Sequence, residues 1–544
     1  MTNKVVKGTL ILSVATLFTK IIGSLFWIPF QNIAGDQIVG LYKISFPFYS
    51  ILLMIASAGI PITVSKFVAE RLSQEDWMGA RRVLRAANLI LMISGLLAFS
   101  ILFFGSELIS KQLLKEPATE SSLKVLAMAI LLVPIMAVIR GYFQGHQQMM
   151  PTGISQFIEQ IVRVGTVIVL TYWMVKLDGT FSDEAVAAGA TSGALTGAIA
   201  GLLVVLWYNW RDRQKHRQLY TEQKQQKSEP LLPLAKEILK YAIPISLATL
   251  VLPLIALVDS VTVPRLLKSI GFANASELFG IYGRGEPLVN VISTFSSALT
   301  LALIPAISAH VAKNEHQAVK SKISQAWLMT LVIGLPASIG LVIVAQPVNI
   351  AMYQDDQGTI TLAVLAFSAI FSTLAVTSSG ILQGLGYNKL PVRHLLIGAL
   401  VKVIGNFIFV PMMGIKGSAL AMVIAYIVVC GLNMWMVLRK TKVKVSITHN
   451  FIKPLLCTLI MAGVLILSLV GINQWQVLAE EGRIFNAIVV FVLITLGAIV
   501  YGVSLLVTKT LGERELRMLP MGNRILRICI KLKLIRPSQT TISS

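Results

Sequence analysis

Long apolar stretches, each closed by a short polar segment, recur along the whole chain. They fall near 8–34, 41–70, 83–105, 122–144, 152–176, 185–209, 236–263, 279–311, 322–345, 359–385, 391–411, 416–438, 452–472 and 484–508. A helix needs about 20 apolar residues to cross the hydrocarbon core of a bilayer. The pattern therefore predicts an all-α polytopic membrane protein with about 14 transmembrane helices. Several stretches exceed that minimum, which predicts tilt, kinks or extension beyond the bilayer. The first follows Lys4 and Lys7, lacks a convincing small-residue cleavage site and is succeeded by many more, so it is expected to be a retained helix rather than a secretory signal.

The charges sit between these stretches and alternate. One set of loops carries Arg71, Arg81 and Arg82, then Arg211, Arg213, Lys215 and Arg217, then Lys313, Lys320 and Lys322. Lys389 and Arg393, the group Arg439, Lys440, Lys442 and Lys444, and the tail from Lys509 to Arg536 continue it. The other set holds Asp36, the loop 178–184, Asp355, Asp356, Glu480 and Glu481, with few cations apart from Lys111, Lys115, Arg265 and Lys268. Basic loops stay on the cytoplasmic side, so both termini are expected there, in a bacterial cytoplasmic membrane. The formal charge of +22 then reflects topology and attraction to anionic membrane lipids rather than binding of nucleic acid.

The polar, Gln/Lys-rich segment around Gln223–Lys227 reads as a flexible cytoplasmic linker, and it invites a search for an internal repeat. Gly40, Tyr42, Pro47, Ser57 and Ala58 match Gly280, Tyr282, Pro287, Ser297 and Ala298 at identical offsets. Gly141, Gln144, Gly145 and Pro151 match Gly380, Gln383, Gly384 and Pro391, with one extra residue before Pro391. The division expected from this is a six-helix N bundle (1–210), a basic linker (211–233), a six-helix C bundle (234–440), two added helices (441–508) and a basic cytoplasmic tail (509–544). At helical spacing the tail segment 524–533 is suited to lie on the inner leaflet. Two parallel repeats are an architecture of alternating-access transporters, with substrate held between the halves.

Within the apolar stretches the ionisable residues stand out, since each costs at least about 2.5–3.5 kcal/mol in a bilayer core. They are Lys20, Lys43, Arg140, Glu159, Arg163, Asp259, Arg284, Glu286 and Lys402. Glu159 and Arg163 stand four apart and can pair on one helix face, either as a structural bridge or toward substrate. Arg140 lies near a helix end, where it can snorkel. Lys402 occupies the repeat position of Arg163 but has Gly398, not an acid, four residues back. Asp259 is open to three readings: a proton or Na⁺ site, a partner for a nearby cation, or a boundary residue. Arg284 and Glu286 lie among Gly280, Gly283, Gly285 and Pro287. Pro287 suits a first helical turn, whose free N–H groups would join Arg284 in attracting an anion; capping at the membrane surface is the alternative. The head of the second stretch, with Lys43 and Pro47, is expected to face this window.

Cations outnumber acids in that set. The balance suits a large amphiphile with an anionic head, such as a lipid-linked phosphate or diphosphate. A hydrophobic-cation exporter would instead want acids and aromatics, and a non-transporting scaffold would need none of these charges. No Walker-type glycine loop or His-Glu-x-x-His motif occurs, and Cys430, Cys457 and Cys529 have no paired spacing. No enzyme activity, cofactor or metal cluster is expected.

The run from Arg140 through Gly141, Tyr142, Phe143, Gln144 and Gly145 to Pro151, Glu159 and Arg163 resembles the polysaccharide-transporter branch of the multidrug/oligosaccharidyl-lipid/polysaccharide (MOP) exporter superfamily. Thr19, Lys20 and Gly23, with Gly59, Ile60 and Pro61, add to the likeness. Within that branch the chain is most similar to the MurJ type of lipid II flippase of Gram-positive bacteria and its sporulation relatives. The resemblance implies movement of an undecaprenyl-diphosphate-linked peptidoglycan precursor to the outer leaflet by two rocking bundles around a cationic cavity. It implies a lipid-tail groove at the last two helices, and cell-wall synthesis or division proteins as partners. It places Lys20 and Arg284 at arginine positions of the first and eighth helices. Phe26 and Ile51 stand where the Gram-negative branch has two further arginines, with Lys43 the nearest cation to the latter. Relatives with a sodium site use acids on helices seven and eleven; here the counterparts are Asp259 and, near Lys402, Asn406. Flipping of a capsule, teichoic-acid or spore-envelope precursor is the alternative, since such lipids share the prenyl-diphosphate handle.

Overall fold

The computed structural model describes residues 15–57, 59–217, 219, 230–249, 251–443, 446–473 and 482–510. The expected linker character at 223–227 and the membrane-lying tail at 524–533 lie outside the described residues. All regular secondary structure among the described residues is helical. The helices are α1 (15–25), α2 (Trp27–Ser57), α3 (Ile60–Ser73), α4 (Trp77–Leu108), α5 (Glu120–Gly145), α6 (Met149–Tyr172) and α7 (Asp183–Lys215). They continue as α8 (Leu231–Thr249), α9 (Val251–Ser269), α10 (Ala275–Tyr282), α11 (Glu286–Ala312) and α12 (His316–Ile343). The last six are α13 (Ala345–Tyr353), α14 (Thr359–Gly384), α15 (Lys389–Met413), α16 (Ile415–Thr441), α17 (Lys453–Asn473) and α18 (Arg483–Val507).

Twelve helical stretches among the described residues are long and apolar enough to cross a membrane. The first of them, Ala15–Ser73, contains two of the expected spans, and the span expected at 236–263 falls on α8 and α9. With these two adjustments the helices follow the fourteen-span pattern of the sequence. Large apolar side chains face outward, among them Phe104, Leu467 and Phe491. That is the arrangement expected where the solvent is lipid.

Helix ends follow local chemistry. Asp76 caps α4 by accepting from the Gly79 N–H at 2.6 Å. Ser182 caps α7, which has Asp183 and Glu184 in its first turn and Arg213 and Lys215 in its last, matching its dipole. Gly35 breaks α2 with φ 80°, a conformation that costs glycine nothing.

Packing groups the chain into two compact units, one of residues 1–283 and 406–415, the other of 284–405 and 416–544. In the first unit, Val64, Leu84, Ile139 and Tyr142 form one core with Leu234 and Ile238 of α8. Phe30, Leu41, Tyr42, Val167 and Ala187 form another. Helices α6 and α7 approach closely because a Cβ on Gly197 would stand 2.8 Å from the Glu159 carbonyl oxygen. Small residues at such crossings are how helices gain contact in lipid, where burial alone gives no drive. In the second unit one core surrounds Trp327, Leu331, Leu382 and Val429, and another joins Cys457, Met461 and Leu493.

Candidate functional site

In the first unit α5 and α6 bring three of the expected residues together, two arginines on one carboxylate. Arg163 Nη2 donates to Glu159 Oε1 at 2.7 Å along α6. Arg140, on α5, donates from Nη2 to Glu159 Oε2 at 2.9 Å and to Ser155 Oγ at 2.6 Å. Ser155 in turn donates to the Gly201 carbonyl at 2.8 Å, which ties α7 to the group. Two guanidiniums share one carboxylate, so the cluster carries +1. The Arg140 and Arg163 side chains are only 12% and 21% exposed, and the Arg163 Nε atom is buried with no hydrogen-bond partner.

The two repeat windows meet in this same unit. Lys43 of α2 is buried, lies 4.7 Å over the Trp27 ring, and donates to the Gly283 carbonyl at 2.7 Å. Gln31 donates to the Gly280 carbonyl at 3.2 Å. Around Gly283 the chain passes from α10 through a short 3-10 turn (Gly283–Gly285) into α11, with Pro287 in its first turn. Lys20, on α1, is exposed.

Asp259 and Asn406, 147 residues apart, also meet in the first unit. Asn406 Nδ2 donates to Asp259 Oδ1 at 2.9 Å and to Thr262 Oγ1 at 2.8 Å. The Tyr282 hydroxyl donates to Asp259 Oδ2 at 2.9 Å. Asp259 is 3% exposed and Asn406 is fully buried. The Asn406 Oδ1 has no hydrogen-bond partner. A carboxylate, an amide oxygen and two hydroxyls in one dry place are hard oxygen donors of the kind that suit Na⁺ or a proton.

Arg284 opens the second unit. Its guanidinium is 3% exposed and grips Asp355 with two nitrogens, Nη1 to Oδ1 at 2.5 Å and Nη2 to Oδ2 at 3.0 Å. Nη1 also donates to the Gln357 carbonyl at 3.2 Å, and the Tyr353 ring lies 5.1 Å away. The Tyr353 hydroxyl donates to the Arg284 carbonyl at 2.8 Å. Arg284 is thus held by the segment joining α13 and α14. Glu286 begins α11 and is exposed. Lys402 is fully buried and donates to the carbonyl and hydroxyl of Ser418 at 2.6 and 2.9 Å.

Several partners had no signal of their own in the sequence. Asp355 read as an ordinary acid of a cation-poor loop, and Tyr282, Tyr353, Thr262 and Ser418 carry no charge to mark them. Only Tyr282 had a pointer, its place in the repeat beside Gly280.

Residues 5–311 match the family described as "Polysaccharide biosynthesis protein", and residues 276–408 match the family MatE. The chain is 31% identical over 531 residues to the uncharacterized membrane protein YabM of Bacillus subtilis, covering 95% of each chain. It is 28% identical over 526 residues to the lipid II flippase MurJ of the same organism, covering 92% of this chain and 95% of that one. Among solved structures it is similar in fold to lipid II flippase MurJ in an inward closed conformation. That match has a TM-score of 0.64 at 18% identity and covers 91% of this chain and 98% of that chain.

Proposed function

Because the chain belongs to the polysaccharide biosynthesis protein family, within the MOP superfamily of multi-pass transporters, we propose that it flips lipid II from the inner to the outer leaflet of the cytoplasmic membrane. The observation that carries this reading is the Arg140–Glu159–Arg163 cluster. It holds two guanidiniums per carboxylate and an Arg163 Nε–H with no acceptor, inside helices packed for lipid. Guanidinium forks match diphosphate oxygens in geometry and charge. An apolar prenyl tail stays in the bilayer while the head group moves. Lys43, in the same unit and bonded to the neutral Gly283 carbonyl, supplies further positive charge. The Asp259–Asn406 pair supports coupling of the cycle to Na⁺ or a proton. The positive-inside bias supports cytoplasmic termini.

The test is depletion of the protein in cells that lack a redundant flippase, followed by leaflet-specific labelling of lipid II. Lipid II is expected to accumulate on the cytoplasmic leaflet; normal outer-leaflet lipid II would overturn the assignment. A second reading, another prenyl-diphosphate-linked glycan, is favoured by the breadth of the family match and by the 31% identity to a protein of uncharacterized activity. Under it, the undelivered precursor would be a capsule, teichoic-acid or spore-envelope lipid.

A further inference from the structure

Lys115, Arg265 and Lys268 are three of the cations that the sequence places among the otherwise cation-poor loops. Loops on that side are normally free to shed lysine and arginine, so cations retained there call for a reason. In the fold these three come together. They line one cavity of about 500 Å³ in the first unit, with Val261, Leu266 and Phe407 as its apolar wall. The cavity lies at the end of the bundle away from the basic loops: α4 starts beside Arg81 and ends before Lys115, and α9 ends at Ser269.

The cavity is built rather than incidental. Lys268 Nζ donates to Glu116 Oε2 and to the Lys115 carbonyl, both at 2.7 Å. The Ser276 hydroxyl donates to the same Glu116 oxygen at 2.5 Å, tying α10 to the segment that carries Lys115. Lys115 adopts φ 55°, in the left-handed region that a side chain rarely occupies. No described side-chain hydrogen bond or ion pair involves the Lys115 ammonium or the Arg265 guanidinium. Three cations against Glu116 leave +2 at the rim of a hole whose other wall is aliphatic and aromatic. Lys111, a fourth cation of the same loops, is by contrast taken up by Glu107 at 2.7 Å.

We propose that this cavity holds the phosphate of a membrane lipid in the leaflet opposite the basic loops. Lys115 and Arg265 meet the phosphate oxygens, Lys268 is fixed by Glu116 as the floor, and the first acyl or prenyl carbons lie along Val261, Leu266 and Phe407. The volume is in the range of ordinary ligand sites, about 300–1,000 Å³. The division of cations and apolar wall fits an amphiphile better than a free anion. The site goes beyond the proposed transport function and is tested by binding alone, so the two can fail separately.

The experiment is native mass spectrometry of the delipidated full chain with three probes: phosphatidylglycerol, undecaprenyl phosphate and inorganic phosphate. Wild type is expected to retain at least one of the two lipids. The Lys115→Gln/Arg265→Gln double variant is expected to lose affinity roughly 10–30-fold, at about 1 kcal/mol per basic residue. Arg265→Lys should restore most of what the Arg265→Gln single variant loses. Both changed residues are exposed and outside the described networks, so an unchanged thermal midpoint is expected and serves as the folding control. Preference for phosphatidylglycerol assigns the site to a bulk lipid, and preference for undecaprenyl phosphate assigns it to the transported class; either upholds it. Equal lipid retention by wild type and the double variant, or displacement of lipid by equimolar inorganic phosphate, overturns it.

Discussion

Gly40 and Gly280, which hold the same position in the two repeats, pack backbone to backbone where α2 crosses α10. A Cβ on Gly40 would collide with the Ser276 carbonyl, and one on Gly280 with the Asp36 carbonyl. The crossing sets Lys43 beside the Gly283 carbonyl and Gln31 beside that of Gly280. Gly40→Val or Gly280→Val is expected to cost at least about 1–3 kcal/mol by overpacking and to lower the thermal midpoint in detergent. Gly431→Ala, with nothing within 4 Å of the added carbon, is the matched control and should leave the midpoint in place.

Removing Glu159 strips the carboxylate from two guanidiniums at once. Glu159→Gln is expected to destabilise the first unit by about 3–5 kcal/mol, as breaking buried pairs does. Arg163→Gln should cost less, because Arg140 still satisfies Glu159 at 2.9 Å. Denaturation of the two variants side by side checks the order; equal losses would mean that Arg140 does not hold the carboxylate alone.

Arg284 and Asp355 form a two-nitrogen grip in which only the acid reaches water, with Asp355 39% exposed and Arg284 3%. Asp355→Ala, which leaves a buried guanidinium short of its carboxylate, should therefore harm folding and membrane levels more than Arg284→Met. Arg284→Lys keeps the charge but loses the fork, and is expected to lower flipping at near-normal protein level. Quantitative blotting with a leaflet assay separates the two effects.

If the Asp259 site takes Na⁺, sodium at 100 times its dissociation constant should stabilise wild type by about 2.7 kcal/mol over matched potassium. Asp259→Asn and Asn406→Ala should abolish the difference. A wild-type midpoint indifferent to sodium would overturn the sodium reading of this pair.

His146 lies just past α5, between the rings of Trp77 and Tyr142. Burial pushes its pKa down to about 4, opposed by Asp212 and aided by His216 and Arg81. Between that value and the unfolded value of about 6.5, the unfolded chain binds more protons. Stability is therefore complete above pH 6.5 and lost as pH falls toward 4, by on the order of 2–3 kcal/mol. His146→Gln should flatten the slope of midpoint against pH in that window. An unchanged slope would place the acid sensitivity elsewhere.

The apolar runs, the alternation of basic loops and the offset matches of Gly40 with Gly280 determined the helical class, the span pattern and the repeat. These are properties of single segments: bilayer thickness sets the run length, and the cost of moving lysine and arginine across sets the loop bias. Candidate charges were legible for the same reason, since a charge in an apolar run is costly wherever its helix ends up. Their partners were not. Asp259 and Asn406 are 147 residues apart and Arg284 and Asp355 are 71 apart. Which side chains meet depends on how helices remote in sequence cross, and that is settled by close approaches such as those at Gly40, Gly197 and Gly280. Tertiary packing alone decided that Glu159 serves two arginines, that Arg284 is held by the α13–α14 segment, and that three scattered cations share one cavity.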